Sequence, residues 1–114
     1  AKVFHSLAIH FEDDVPLQLE DRWVNPAAAP QYLGADFSST TPTQYLLEVA
    51  PMWEASYTIE AASPTRQEAR HLKIEPTEPC LVITRWTVSR GTPVTLVRLV
   101  HPGSRYLLEG RFQP

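Results

Sequence analysis

Glu20 and Arg22 stand two residues apart in the run VPLQLEDRWV, where Leu17, Leu19 and Trp23 occupy the alternate positions. On a β-strand that spacing puts the carboxylate and the guanidinium on one face and the three apolar side chains on the other. A Glu–Arg face is a polar wall against which a ligand could lie, with Glu20 accepting a donor and Arg22 meeting a carboxylate. The same pair would serve as a weak ion pair on a solvated face, and the pattern leaves both readings open. Thr43 and Tyr45 form a second candidate group. They open a short helix whose start is marked by Thr41-Pro42, an N-cap followed by proline at the first helical position, with Gln44 completing a capping box. The N–H groups and positive dipole end of such a helix suit an anionic group. Thr43 would also help to cap the helix, and Tyr45 would also pack against a sheet.

Other chemistries have less support. There is no GxSxG, HExxH, CxxC or glycine-rich phosphate loop, so the chain carries no recognisable enzyme motif. His5, His10, His71 and His101 are dispersed, and His5 and His10 fall on opposite faces of one strand, so no metal site is expected. Cys80 lies in an apolar run without a basic neighbour and reads as a buried filler.

These residues need a sheet to position them. Alternation through Val3, Leu7, Ile9 and Phe11, a polar turn at 12–15, and alternation again to Trp23 give a β-hairpin over residues 2–24. Residues 25–40 read as an excursion rich in Pro, Ala, Ser and Thr, and the short helix after Thr41 ends before Pro51. Residues 52–62 read as a strand. Ser63-Pro64 repeats the cap-plus-proline signal and starts a second helix, which faces a core with Ala69, Leu72 and Ile74. A strand from Cys80, a turn at 89–92 and a strand from Val94 to His101 form a second hairpin. The hairpins match at an offset of 77, pairing Phe4 with Leu81, Phe11 with Val88, Pro16 with Pro93 and Leu19 with Leu96. Two similar hairpins joined by short helices predict an α+β domain around one central antiparallel sheet.

The chain has 114 residues, enough for one core, and a net charge of −3 from ten basic and thirteen acidic residues. Its basic residues form no patch, which argues against direct nucleic-acid binding. No apolar run reaches membrane-span length, and the N-terminus lacks a signal-peptide pattern, so a cytoplasmic location without membrane contact is expected. A single cysteine excludes an internal disulfide. The abrupt start inside a strand, without an initiator Met, reads as a fragment of a longer protein.

The phrases VPLQLEDRWVNP, TPTQYLLEVAP and EPCLVITRWTVSRGTPVTLVRLVHPGSRYLLEGRF resemble the C-terminal effector-binding (UTRA) domain of GntR-type transcriptional regulators of the HutC subfamily. QLEDRWVNP and LVHPGSRY bring the resemblance closest to the histidine-utilisation repressors. It implies a fold similar to chorismate lyase without its activity. It implies a homodimer that meets DNA only through an N-terminal winged helix-turn-helix, absent from residues 1–114 along with the sensor domain's leading strand and helix. It also implies urocanate, or a related imidazole acid, as the effector that releases DNA, with no cofactor. By position, Glu20 matches the family glutamate on the second strand, and Thr43 and Tyr45 match the Ser and Tyr at the helix start. His101 falls where many relatives have an aromatic residue near the pocket. Thr95 replaces a frequent second glutamate, which sets aside any transfer of sugar-phosphate or amino-sugar specificity. Arg105 and Tyr106 match a terminal pair read as mainly structural. For urocanate, an arginine or helix N-terminus would receive the carboxylate and Glu20 an imidazole N–H, so Glu20→Ala is expected to weaken binding more than folding. The alternatives are an enzyme related to chorismate lyase and a dimerisation module without a ligand.

Overall fold

Twice in this chain an alternating strand turns back on itself through two residues with positive φ. The computed structural model describes residues 3–27 and 53–113. The first hairpin joins β1 (Phe4–Glu12) to β2 (Val15–Val24), and the second joins β4 (Cys80–Ser89) to β5 (Thr92–Pro102). Asp13 and Asp14 have φ of 50° and 66°, and Arg90 and Gly91 have φ of 51° and 79°. Two successive left-handed residues match the twist of the flanking strands, a conformation that Asp and Gly tolerate well. The similarity of the two hairpins extends to an irregularity. Register shifts between His10 and Phe11 opposite Pro16, and again between Thr87 and Val88 opposite Pro93. Each of these positions is related to its counterpart by the same offset of 77. A proline cannot donate to the ladder, so a bulge beside it is a natural accommodation.

The strands form one antiparallel sheet in the order β1-β2-β5-β4-β3, where β3 spans Trp53–Ala62 and forms an edge. The second strands of the two hairpins are therefore the central neighbours, pairing Leu19 with Val100 and Arg22 with Val97. One face carries the apolar core: Leu19, Cys80, Val82 and Val100 pack with Leu72 of helix α1 (Arg66–Leu72), with Ile9, Ala62 and Ile74 at the margin. Leu72 and Ile74 pack into this core as their spacing predicts, Ala69 is buried, and Cys80 is buried in the core.

The helix begins two residues later than the Ser63-Pro64 signal implies, because its N-cap is Thr65. Thr65 Oγ1 accepts from the Glu68 N–H at 3.1 Å, and the Glu68 carboxylate accepts from the Thr65 N–H at 2.9 Å. Ser63 would have Arg66 at the reciprocating position, which cannot accept; Thr65 has Glu68, which can. Lys73 closes the helix with φ of 55°. Arg105 binds its last carbonyls, donating to Leu72 O at 2.7 Å and Lys73 O at 3.1 Å, and ties them to Pro16 O at 3.0 Å. Arg105 is structural, as the family pattern implies. Arg98 Nε also donates to the Glu68 carboxylate at 3.1 Å. Thr65→Ala is expected to cost about 1 kcal/mol in urea unfolding; an unchanged midpoint would show that the Glu68–Arg98 pair holds the helix start without the cap.

The predicted helix after Thr41, including Thr43 and Tyr45, lies outside the described residues. Among the described residues, no helix is long and apolar enough to cross a membrane.

Candidate functional site

Strand pairing determines which side chains share the sheet face away from α1. One rung holds Arg22, Val97 and Arg85, and the next holds Glu20, Leu99 and Ile83. Val24, Thr95 and Thr87 form the rung beyond Arg22, and His101 beside Leu81 lies beyond Glu20, with Gln18 reaching it from β2. Glu20 and Arg22 thus share a face, opposite Leu19 and Trp23, as their alternation predicts.

The pair is not a solvated surface contact. Arg22 is 4% exposed, and its Nε donates to Glu20 Oε2 at 3.1 Å. On the outer side His10 Nε2 lies 3.3 Å from Glu20 Oε1. Burial alone would raise the Glu20 carboxyl, but the hydrogen bond and charge of Arg22, assisted by His10, outweigh it and hold the group below its ordinary value. A carboxylate can accept about four hydrogen bonds, so Glu20 keeps capacity for a ligand donor.

Arg85 was missing from the sequence candidates. It is half-buried on β4, level with Arg22 and separated from it by Val97. Burial and then the Arg22 charge depress its proton affinity, with Glu20 opposing them. Among the described residues, no hydrogen-bond acceptor meets its guanidinium. The signal was available in the alternation of β4, where Arg85 falls in phase with Leu81 and Ile83.

Thr95 and His101 occupy the same face but not one spot. They are six residues apart on β5, about 20 Å along a strand, so one small imidazole acid cannot touch both. Thr95 is buried, and its hydroxyl bonds that of Thr87. His101 is 1% exposed and fully engaged. Its Nδ1 donates to Leu81 O at 3.0 Å, its Nε2 accepts from Gln18 Nε2 at 2.9 Å, and its ring stacks on Tyr106 with centroids 3.8 Å apart. A carbonyl can only accept, so Nδ1 carries the proton, and Nε2 is the acceptor of the neutral ring. Burial pushes His101 below its ordinary value, with the Leu81 carbonyl opposing.

The remaining histidines follow the dispersed pattern. His5 lies on the α1 face, bonded to Asp21 and stacked on Trp23 at 5.0 Å. Among the described residues, no group of three His, Cys, Asp or Glu is placed to hold a metal ion. Burial raises the Cys80 thiol above its ordinary value, with the charges of Glu78 and Glu68 adding to the effect, which makes it a poor nucleophile.

The family described as UTRA domain matches residues 1–107. The chain is 55% identical over 111 residues to a histidine utilization repressor of Pseudomonas putida, covering 97% of this chain and 45% of that protein. It therefore spans about half the length of the curated relatives it matches. The crystal structure of the C-terminal domain of histidine utilization repressor from Pseudomonas syringae pv. tomato superposes with a TM-score of 0.93 at 52% identity, covering 98% of this chain and 79% of that one. The effector domain of PhnF from Mycobacterium smegmatis shares the fold, with a TM-score of 0.86 at 16% identity over 98% of this chain and 70% of that one. The antiparallel sheet with few helices is the chorismate lyase-like architecture of GntR-family C-terminal domains, and the close relatives are named as repressors, not enzymes.

Proposed function

The chain belongs to the UTRA domain family, and from that premise we propose that it is the effector-sensing domain of a repressor of histidine-utilisation genes, with urocanate or a related imidazole acid as its ligand. The observation that carries this reading is the 55% identity, over 97% of the chain, to a protein named histidine utilization repressor. The site geometry supports the chemistry. A flat molecule with an imidazole at one end and a carboxylate at the other needs a buried acceptor and a buried cation across an apolar floor. Glu20 and Arg22 supply one charged end, and Val97 and Leu99 lie beside them.

In this reading Glu20 accepts an imidazole N–H, a stronger bond if the ring is protonated. Arg22 holds Glu20 in place. Thr95 lies at one end of the face and His101, committed to Gln18 and Leu81, walls the other. Thr43 and Tyr45 belong to the same proposal through the family pattern. Binding relieves DNA binding, which a separate winged helix-turn-helix in the full protein carries out, and the protein acts in the cytoplasm as a homodimer.

A thermal-shift series with urocanate, histidine and other imidazole acids tests the sensing step. A ligand at 100 times its dissociation constant adds about 2.7 kcal/mol to stability. Urocanate is expected to raise the melting temperature and, in the full-length repressor, to release an operator fragment. No shift with any of these ligands would favour a dimerisation module that senses nothing.

A further inference from the structure

Among the described residues, the charges on the ligand face do not balance. Glu20 carries one negative charge, while Arg22 and Arg85 carry two positive ones, and all three act on one another. Arg22 is committed, with its Nε on Glu20 at 3.1 Å and its side chain 5% exposed. Arg85 is not: among the described residues its guanidinium has neither a hydrogen bond nor an ion-pair contact. A half-buried guanidinium in that state is costly to keep unless something supplies an acceptor. The excess of one positive charge matches a monoanion.

Geometry places that charge at the far end of an apolar floor. Arg85 and Arg22 flank Val97 in one rung, so their Cα atoms are about 10 Å apart across two strand spacings. Glu20 is one rung along, roughly 12 Å from Arg85 on the diagonal. Leu99 and Ile83 fill the ground between them.

We infer that Arg85 is the carboxylate anchor of this site: the ligand's carboxylate pairs with Arg85 on β4, and its other end meets Glu20 on β2, so that it lies across Val97 and Leu99. The inference rests on the reading of this face as the effector site. It departs from the expectation that Arg22 or a helix N-terminus receives the carboxylate, because Arg22 already serves Glu20.

The test is calorimetry on the wild-type chain, Arg85→Gln and Arg85→Lys. The probes are urocanate, its neutral methyl ester, and arylacrylates that keep the carboxylate but lack the imidazole. Wild type is expected to prefer urocanate to the ester, and Arg85→Gln to lose about 10- to 100-fold for urocanate, the range of one charge-assisted pair. The same variant should bind the ester as wild type does. Arg85→Lys should recover part of the loss, since it keeps the charge but not the fork. Melting temperatures report folding separately, and Arg85→Gln should not melt lower, because it removes a charge that Arg22 repels. Unchanged urocanate affinity in Arg85→Gln, or equal losses for acid and ester, would overturn the assignment. If wild type binds only an arylacrylate, and through Arg85, the anchor stands and the urocanate reading falls. If wild type binds none of the probes, both fall.

Discussion

Glu20→Gln is expected to destabilise the domain by about 3 kcal/mol and to abolish urocanate binding. The first effect follows from what the carboxylate offsets. Arg22 is buried to 4% exposure and Arg85 lies across Val97 from it, so neutralising Glu20 leaves the repulsion between two positive charges without the carboxylate that opposes it. Removing one partner of a buried pair costs about 3–5 kcal/mol, and the half-solvated His10 side places this case at the lower end. The sequence alone made Glu20 a residue whose loss would weaken binding more than folding. The Arg22–Arg85 pairing raises the folding share, so affinity must be measured where the variant is still folded.

Acid titration provides the same neutralisation without mutagenesis. Burial would raise the Glu20 carboxyl, but Arg22 holds it below its ordinary 4.5, so the native state binds its proton less readily than the unfolded chain does. Its contribution is fully present above about 4.5 and is lost as pH falls through the lowered native value. The stability gap between wild type and Glu20→Gln should therefore be constant near neutrality and shrink below pH 4.5. Glu68, also held low by Arg98 and the Thr65 cap against its burial, titrates in the same window, but it is present in both proteins and cancels. Urea unfolding across a pH series measures the gap. A gap that persists unchanged into acid would mean that shape, not charge, is what Gln replaces poorly.

The two hairpins were legible in the sequence because each property of a hairpin leaves a local trace. Alternation reports the strands, and Asp13-Asp14 and Arg90-Gly91 report the left-handed turn. Alternation did not report burial in the first strand, where Val3, Leu7 and Phe11 are exposed and only Ile9 reaches the margin of the core. Pro16 and Pro93 also mark where the register shifts, although the shift itself depends on how the partner strand accommodates the missing N–H. The placement of β3 outside β4 was not legible, since no local pattern states which edge a strand joins. Arg85 was missed for a related reason. Its meaning depends on Val97 and Arg22, brought level with it by two strand pairings distant in sequence. Glu20 and Arg22 were found because both charges lie on one strand, where period-two spacing is enough.

His101→Ala is expected to cost about 3 kcal/mol, and the more informative variant is His101→Phe. The alanine variant leaves a cavity where a fully buried ring stacked on Tyr106, and it removes the partners of the Gln18 amide and the Leu81 carbonyl. Phenylalanine fills the space and keeps the stack, so its loss of about 2 kcal/mol isolates the two unpaired polar groups. The pH dependence distinguishes this role from simple packing. Burial pushes the His101 ring below its ordinary 6.5, so the unfolded chain binds the proton more readily than the native state. The neutral ring's contribution is complete above pH 6.5 and declines as pH falls through and below that value. Wild type should therefore lose stability as pH falls below about 6.5 while His101→Phe does not, narrowing the difference between them in a range where Glu20 and Glu68 remain ionised. If both proteins lose stability in parallel over that range, His101 is not held neutral by its surroundings. Because a side chain bonded on both nitrogens has no polar atom left for a ligand, His101→Phe should also leave urocanate affinity nearly unchanged once folding is restored at low temperature. A large loss of affinity in this variant would return His101 to the ligand contacts and require its bond to Gln18 to open on binding.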